Sequence, residues 1–366
     1  MLSIICCTDC GRGYPERGLP YCCPTCGGLY DYCNSPHLDP AQVDRSQPGI
    51  WRYRHTFGIP PGIEPVSLGE GNTPLEWVEV DGRKVSLKCE FLNPSGSFKD
   101  RGSAVITGWL KSRGISEAVE DSSGNAGASF AAYAARAGIK ARVFVPESTS
   151  GPKQRQITAY GAELIPVIGS RSDVMEAVKN KVDGGVAYAS HAYLPFNITG
   201  YATSAYEIFE QLGENMPGAI LVPAGQGGFL LGLFYGFNQL RIAINNQKRV
   251  PKMIGVQASV CAPLWTLYTK GQSELVPNVE NPTLAEGVRI IHPLRRSEVI
   301  NVVMESEGSI YTVAEEEILQ GRDQLARLGF YVEPTSAIVW PTLTKIIHRL
   351  PDPIVVVLTG SGYKCE

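Results

Sequence analysis

"NPSGSFKDRGSA", residues 93–104, holds one lysine whose position decides how the whole chain reads. Ser97 has the character of a helix N-cap, and Asp100, three residues on, completes an S-x-x-D capping box. Lys99 then falls in the first helical turn. The helix dipole disfavours an ammonium there by a few tenths to about 1 kcal/mol. A solvated surface lysine tolerates that cost, which is the bland reading of the position. A lysine that has to be neutral benefits from it. The apolar run "VSLKCEF" (85–91) precedes this helix, so the element is a strand, a small-residue loop and a helix.

Two other junctions repeat that layout, "DSSGNAG" (121–127) and "LVPAGQGGFLLG" (221–232). Around them the chain alternates strand-length apolar runs with helical stretches. "ARVFVP" (141–146), "ELIPVIG" (163–169), "GVAYAS" (185–190), "AILVPAG" (219–225) and "KMIGVQA" (252–258) each precede a helical stretch or a loop. The chain closes on "PIVVVLTG" (353–360), a run apolar enough to be buried on both faces. Such alternation predicts an α/β fold with mainly parallel, open sheets flanked by helices. In such sheets ligands bind beyond the carboxyl ends of the strands. Helix N-termini there supply amide donors suited to phosphate or carboxylate. "GQGG" (225–228) is a candidate phosphate cradle. "SSGNAG" is a candidate carboxylate cradle, with Ser123 and Asn125 as side-chain donors. Either loop alone is as well explained as ordinary turn punctuation.

Length and composition bound the rest. A chain of 366 residues suggests two domains, and 43% apolar against 19% charged residues provides for a large core. A net charge of −3 argues against a nucleic-acid footprint. No run reaches the roughly 18 apolar residues of a membrane span. The N-terminal stretch lacks the pattern of a signal peptide, so a cytoplasmic location is expected. Seven of the ten cysteines lie before residue 34: Cys6, Cys7, Cys10, Cys22, Cys23, Cys26 and Cys33. Clustering of this kind points to metal rather than to a disulfide framework, which a reducing cytosol would not keep. Cys7-x-x-Cys10 and Cys23-x-x-Cys26 have zinc-knuckle spacing, and the interval between them suits a small structural zinc ribbon. Cys6, Cys22 and Cys33 leave the choice of four ligands open. A Pro/Gly-rich stretch including "PPGIEP" (60–65) reads as a linker.

Taken in order, "NPSGSFKDRG", "SSGNAG", the glycine loop, "VEPTSA" (332–337) and "VVVLTGSG" (355–362) resemble the fold type II pyridoxal-phosphate enzymes, the threonine synthases above all. The likeness runs from "EGNTPL" (70–75) almost to the end, and "CPTCGGLYDY" resembles the ribbon at the front of many threonine synthases. The resemblance implies a tryptophan synthase β-like fold with an N-terminal ribbon (1–36). It also implies a large cofactor domain (66–110 and 213–366), a small substrate domain (111–212) and a homodimer. It implies that Lys99 joins the cofactor aldehyde, which requires a neutral amine, and then moves protons as general base and acid. Phe98 would flank the cofactor and Asn125 would meet its phenolic oxygen. Gly225, Gln226, Gly227, Gly228 and Phe229 would hold its phosphate, and Thr359 would face the pyridine nitrogen. Ser123, Gly124, Asn125, Ala126 and Gly127 would take the substrate carboxylate. A hydroxyl at Thr359 leaves the ring nitrogen less protonated than a carboxylate would, which suits expulsion of a leaving group at the β or γ carbon.

The likeness breaks at one segment. Threonine synthases bind the substrate phosphate through a stretch resembling "SxNPYRxEGQKT". Its Ser, Asn and Arg positions are Ala192, Leu194 and Asn197 in "AYLPFNITGYAT" (192–203). Losing that arginine removes a charge-assisted bidentate partner. Lys153, Arg155 and Arg289 are the cations that could replace it. "GQGGF" and "TLAEGVRI" (283–290) look more like amino-acid dehydratases. The expected activity is therefore elimination or replacement on a small amino acid, with O-phosphohomoserine to threonine as the family reaction. Serine or threonine deamination and β-replacement are the alternatives. A non-catalytic binding or regulatory protein is the alternative of another class. The five histidines form no ligand or triad spacing and read as core or surface residues.

Overall fold

The computed structural model of the chain describes residues 5–33, 37–148, 151–169, 171–183, 185–245, 249–271 and 282–365. Residues 1–4 and 34–36 of the expected ribbon lie outside them. Among the described residues, twelve strands occur in chain order: β1 Ile5–Cys7, β2 Tyr30–Tyr32, β3 Leu75–Val80, β4 Arg83–Lys88, β5 Glu117–Glu120, β6 Lys140–Pro146, β7 Glu163–Val167, β8 Ala187–Tyr188, β9 Ala219–Pro223, β10 Lys252–Ala258, β11 Ser309–Val313 and β12 Ile354–Val357. The helices are α1 Lys99–Ser112, α2 Asn125–Ala137, α3 Pro152–Ala159, α4 Arg171–Asp183, α5 Phe196–Gln211, α6 Gly228–Ala243, α7 Pro263–Lys270, α8 Arg296–Glu305, α9 Glu315–Arg327, α10 Pro334–Ala337 and α11 Val339–Ile346. Among the described residues no helix is long and apolar enough to cross a membrane.

The chain divides into two compact units. One comprises residues up to 71 together with 99–200, the other 72–98 together with 201–365. The boundary anticipated at 110/111 lies near the C-terminal end of α1, whereas the compact units part at its first residue. The boundary anticipated at 212/213 corresponds to 200/201, inside α5.

The second unit is built on a six-stranded sheet in the order β11-β10-β9-β12-β4-β3. Every pairing is parallel except β3 with β4. The four residues of β12 are all buried, as a central parallel strand covered on both faces requires. The edge strands β3 and β11 have no counterpart in the sequence expectation. Both are partly exposed, so neither leaves the continuous apolar run that marks a central strand.

The first unit holds the four-stranded parallel sheet β7-β6-β5-β8 and the antiparallel pair β1-β2. Two expectations change here. The stretch after residue 36 read as a linker is core over its earlier part, although residues 60–62 stay exposed: Ile50, Trp51, Tyr53 and Phe57 are at most 1% exposed. Trp109 Nε1 donates to the Phe57 carbonyl at 3.1 Å, and Trp51 Nε1 donates to Glu70 at 2.9 Å. Apolar anchors outweigh the surrounding Pro and Gly. The N-terminal segment is likewise part of this unit, with Ile5, Leu19 and Tyr30 in its core cluster.

Candidate functional site

In the first unit, the loop after β5 and the N-terminus of α2 carry Ser123 to Gly127. Gly124 is the N-cap of α2 and Asn125 its first residue. Gly124 N donates to Ser122 Oγ at 3.2 Å, and the Ser122 amide is held by the Glu120 carboxylate. A Cβ on Gly127 would lie 1.9 Å from the Ser122 carbonyl oxygen, so only glycine permits this turn. Lys99, half-buried, is the first residue of α1, as the dipole argument anticipates. The capping box does not form. Ser97 Oγ is buried without a hydrogen-bond partner among the described residues, and its backbone bridges Gly360 instead. Asp100 faces inward and accepts from Ser129 Oγ at 2.6 Å, tying α1 to α2. Lys99 and Asn125 therefore open two helices that pack on one another.

In the second unit, β9 ends in the glycine loop and α6 begins at Gly228. Gly227 caps the helix at φ +81°, a left-handed conformation that glycine adopts without strain. Beside it, Gln226 Oε1 accepts from Leu294 N at 3.0 Å, which fixes the loop from outside. The first amides of α6 have no intrahelical acceptor and face a prospective anion. Phe229 lies in an aromatic group: its ring stacks on Phe98 at 4.4 Å, and Tyr201 approaches both, at 5.2 and 5.5 Å. Thr359 follows β12. Its N–H donates to Ser336 Oγ at 2.8 Å and its carbonyl accepts from Phe98 N at 3.0 Å. Its own hydroxyl is buried with no hydrogen-bond partner among the described residues. An orphaned buried hydroxyl costs about 1–3 kcal/mol unless a ligand satisfies it. That orphan, and the open amide cradle, fit a phosphorylated pyridine.

Sequence reasoning passed over Ser336 and His191. Ser336 lies in the quoted "VEPTSA". His191 is buried, its Nε2 2.9 Å from Ser103 Oγ. Burial, and then the charge of Lys99, hold its imidazole well below the usual 6.5. The spacing of Ser103 four residues after Lys99 was a usable signal, since such residues share a helix face. At the diverged segment, Leu194 and Asn197 are buried and Asn197 Nδ2 donates to the His191 carbonyl at 2.7 Å.

Six of the seven N-terminal cysteines fall into two groups, and the half-buried Cys22 belongs to neither. The Sγ atoms of Cys7, Cys10, Cys23 and Cys26 all lie within 4.8 Å of one another. Each knuckle closes a turn, Gly11 N to Cys7 O at 2.9 Å and Gly27 N to Cys23 O at 2.8 Å. A tetrahedral zinc with Zn–S near 2.3 Å sets its sulfurs about 3.8 Å apart; Cys7–Cys26 and Cys10–Cys23 are at 3.4 and 3.7 Å. Cys6 and Cys33 are joined as a disulfide, against the expectation of a purely metal-binding cluster. The β1–β2 ladder is the reason: it pairs Cys6 with Asp31, two residues from Cys33.

A family model described as pyridoxal-phosphate dependent enzyme matches residues 66–360. The threonine synthase of Methanocaldococcus jannaschii is 32% identical over 374 residues, 98% of this chain and 92% of that protein. The threonine synthase of Methanosarcina acetivorans is 31% identical, covering 97% and 90%. Among solved structures, the T.th. threonine deaminase aligns with a TM-score of 0.67 at 28% identity, over 79% of this chain and 92% of that one. Maize serine racemase shares the fold, with a TM-score of 0.69 at 23% identity over 79% and 88%.

Proposed function

The chain belongs to the pyridoxal-phosphate dependent enzymes, and from that premise we propose that it is a threonine synthase-like lyase with Lys99 as the residue that carries the cofactor. Bound there, the cofactor would supply an electron sink for charge developing at the α carbon of an amino acid. Lys99 would take the proton from that carbon and return protons further along the side chain. Gly225, Gln226, Gly227, Gly228 and the Phe229 amide would hold the phosphate through the α6 N-terminus. Asn125 would meet the phenolic oxygen, and Ser123 to Gly127 the substrate carboxylate. Phe98 would pack beside the ring. The orphaned Thr359 hydroxyl carries this reading: it is a neutral partner for a ring nitrogen, which keeps the sink moderate and favours loss of a leaving group. Cys7, Cys10, Cys23 and Cys26 would bind a structural zinc, since four thiolates leave no open position.

The family reaction, O-phosphohomoserine to threonine, is the first reading of the substrate. Deamination of a hydroxy amino acid is the second, favoured by the neutral, inward-held Asn197 and Leu194 at the segment that elsewhere carries an arginine.

The test begins with the holoenzyme's absorbance near the visible edge. Borohydride should abolish it and leave the reduced cofactor on the peptide containing Lys99. Retention of the band in Lys99→Ala would refute the assignment. A panel of small amino acids then separates the readings: phosphate plus threonine from phosphohomoserine supports the first, ammonia plus a keto acid from serine or threonine the second.

A further inference from the structure

One turn beyond Lys99, α1 carries a buried chain of polar groups that no motif announces. Ser103 follows Lys99 by four residues, so both side chains leave one face of the helix. Ser103 Oγ lies 2.9 Å from His191 Nε2 and 2.7 Å from Ser129 Oγ, and Ser129 Oγ donates to Asp100 Oδ1 at 2.6 Å. Asp100, Ser103 and Ser129 are wholly buried and His191 is 7% exposed.

Donor chemistry orients this chain. An ionised carboxylate only accepts, so the single proton of Ser129 goes to Asp100. The proton between the two hydroxyls then comes from Ser103. Ser103's oxygen is left to accept, and His191 must donate to it through Nε2. A neutral imidazole protonated at Nε2 keeps Nδ1 as a lone-pair acceptor.

We propose that His191 is a positioning residue for Lys99: the Asp100–Ser129–Ser103 chain holds its ring as the Nε2–H tautomer, and Nδ1 accepts a hydrogen bond from the Lys99 amine. The proposal deepens the reading of Lys99 as the cofactor lysine and rests on it. The charged groups on α1 that bear on the ring are Lys99 directly and Asp100 through the two hydroxyls. α2 contributes the uncharged Ser129. On its own segment, Asn197 Nδ2 holds the His191 carbonyl at 2.7 Å, which fixes the backbone that carries the ring. Burial and the Lys99 charge both keep the imidazole neutral, so it remains an acceptor while Lys99 changes state.

Two measurements test this in the holoenzyme. Long-range proton–nitrogen correlation of histidine-labelled protein, with His191 identified by its absence in His191→Gln, should show the neutral Nε2–H tautomer from about pH 5.5 to 8. Ser103→Ala should mix the tautomers. An Nδ1–H tautomer in the parent protein, or an imidazolium forming near pH 6.5, overturns the proposal. With whichever amino acid the panel identifies, an acceptor at Nδ1 stabilises the Lys99 ammonium. His191→Leu should therefore move the acidic limb of kcat to lower pH by about half a unit or more. His191→Gln, which keeps an acceptor, should leave the limb in place. An unmoved limb in a folded His191→Leu overturns the positioning role. Failure of borohydride to fix the cofactor on Lys99 refutes the underlying assignment instead, and leaves the tautomer measurement standing.

Discussion

Two lysines eleven residues apart receive opposite treatment. Lys88, at the end of β4, is wholly buried, and its three ammonium protons go to Glu207 at 2.9 Å, the Thr73 carbonyl at 2.7 Å and Gln211 at 3.0 Å. Glu207 in turn accepts from Asn72 N at 2.9 Å. Everything around Lys88 stabilises the charged form. Lys99 instead heads a helix whose dipole disfavours that form. One arrangement locks a charge as structure. The other keeps an amine ready to lose one, and the difference teaches which lysine does chemistry.

The largest effect should come from Lys99→Ala. Activity should fall by at least ~10³-fold and the borohydride-fixed cofactor should vanish, while the melting temperature of the cofactor-free protein hardly changes. Lys88→Met should do the reverse. It leaves Glu207 buried without the Lys88 ammonium and should cost about 3–5 kcal/mol in denaturant unfolding, with the cofactor band intact in the folded fraction. Adding Glu207→Leu should recover most of that loss, because a buried ion pair replaced whole by apolar side chains is often close to neutral. If Lys99→Ala destabilised the fold as much as Lys88→Met, the contrast would be broken.

A smaller effect should follow from metal. A strong chelator should release about one zinc per chain and lower the melting temperature, and Cys23→Ser should bind none. The ring contacts Tyr14–Phe196 and Tyr21–Tyr193 link the N-terminal segment to the rest of the first unit, so near-ultraviolet tyrosine signals should change with it.

The smallest effect concerns pH. His191 binds its proton far less readily in the folded chain than its ordinary 6.5, so the unfolded chain binds more protons below that value. Its contribution to stability is therefore complete above about pH 6.5 and declines as pH falls below it. His191→Gln should flatten that slope in denaturant melts taken at successive pH values.

Much of the fold was legible because parallel strands covered on both faces leave unbroken apolar runs. "PIVVVLTG" and "KMIGVQA" became β12 and β10 close to where the sequence puts them. β3 and β11 escaped because edge strands are half-exposed. The segment from 49 to 57 escaped because Pro and Gly mask its buried Trp51 and Phe57, whose value lies in the helix they pack against. At the candidate site, Lys99 was legible from its place in a helical turn, although the capping box was not the cause. Asp100 turned inward to Ser129, and Ser97 to Gly360, through contacts a local pattern does not contain.

The sequence alone determined the alternation of strands and helices, the lysine at a helix start, the glycine loops and the paired cysteine knuckles. Each is written in residues close together along the chain, where turn geometry and helix periodicity act. Only the tertiary structure decided that Cys6 bonds Cys33, that Thr359 keeps a buried hydroxyl unsatisfied, that Lys88 is locked by Glu207 and that His191 meets Ser103. Those facts join residues up to 119 positions apart, and a hydrogen bond's worth depends on burial and on the partner that folding brings, which no local stretch specifies.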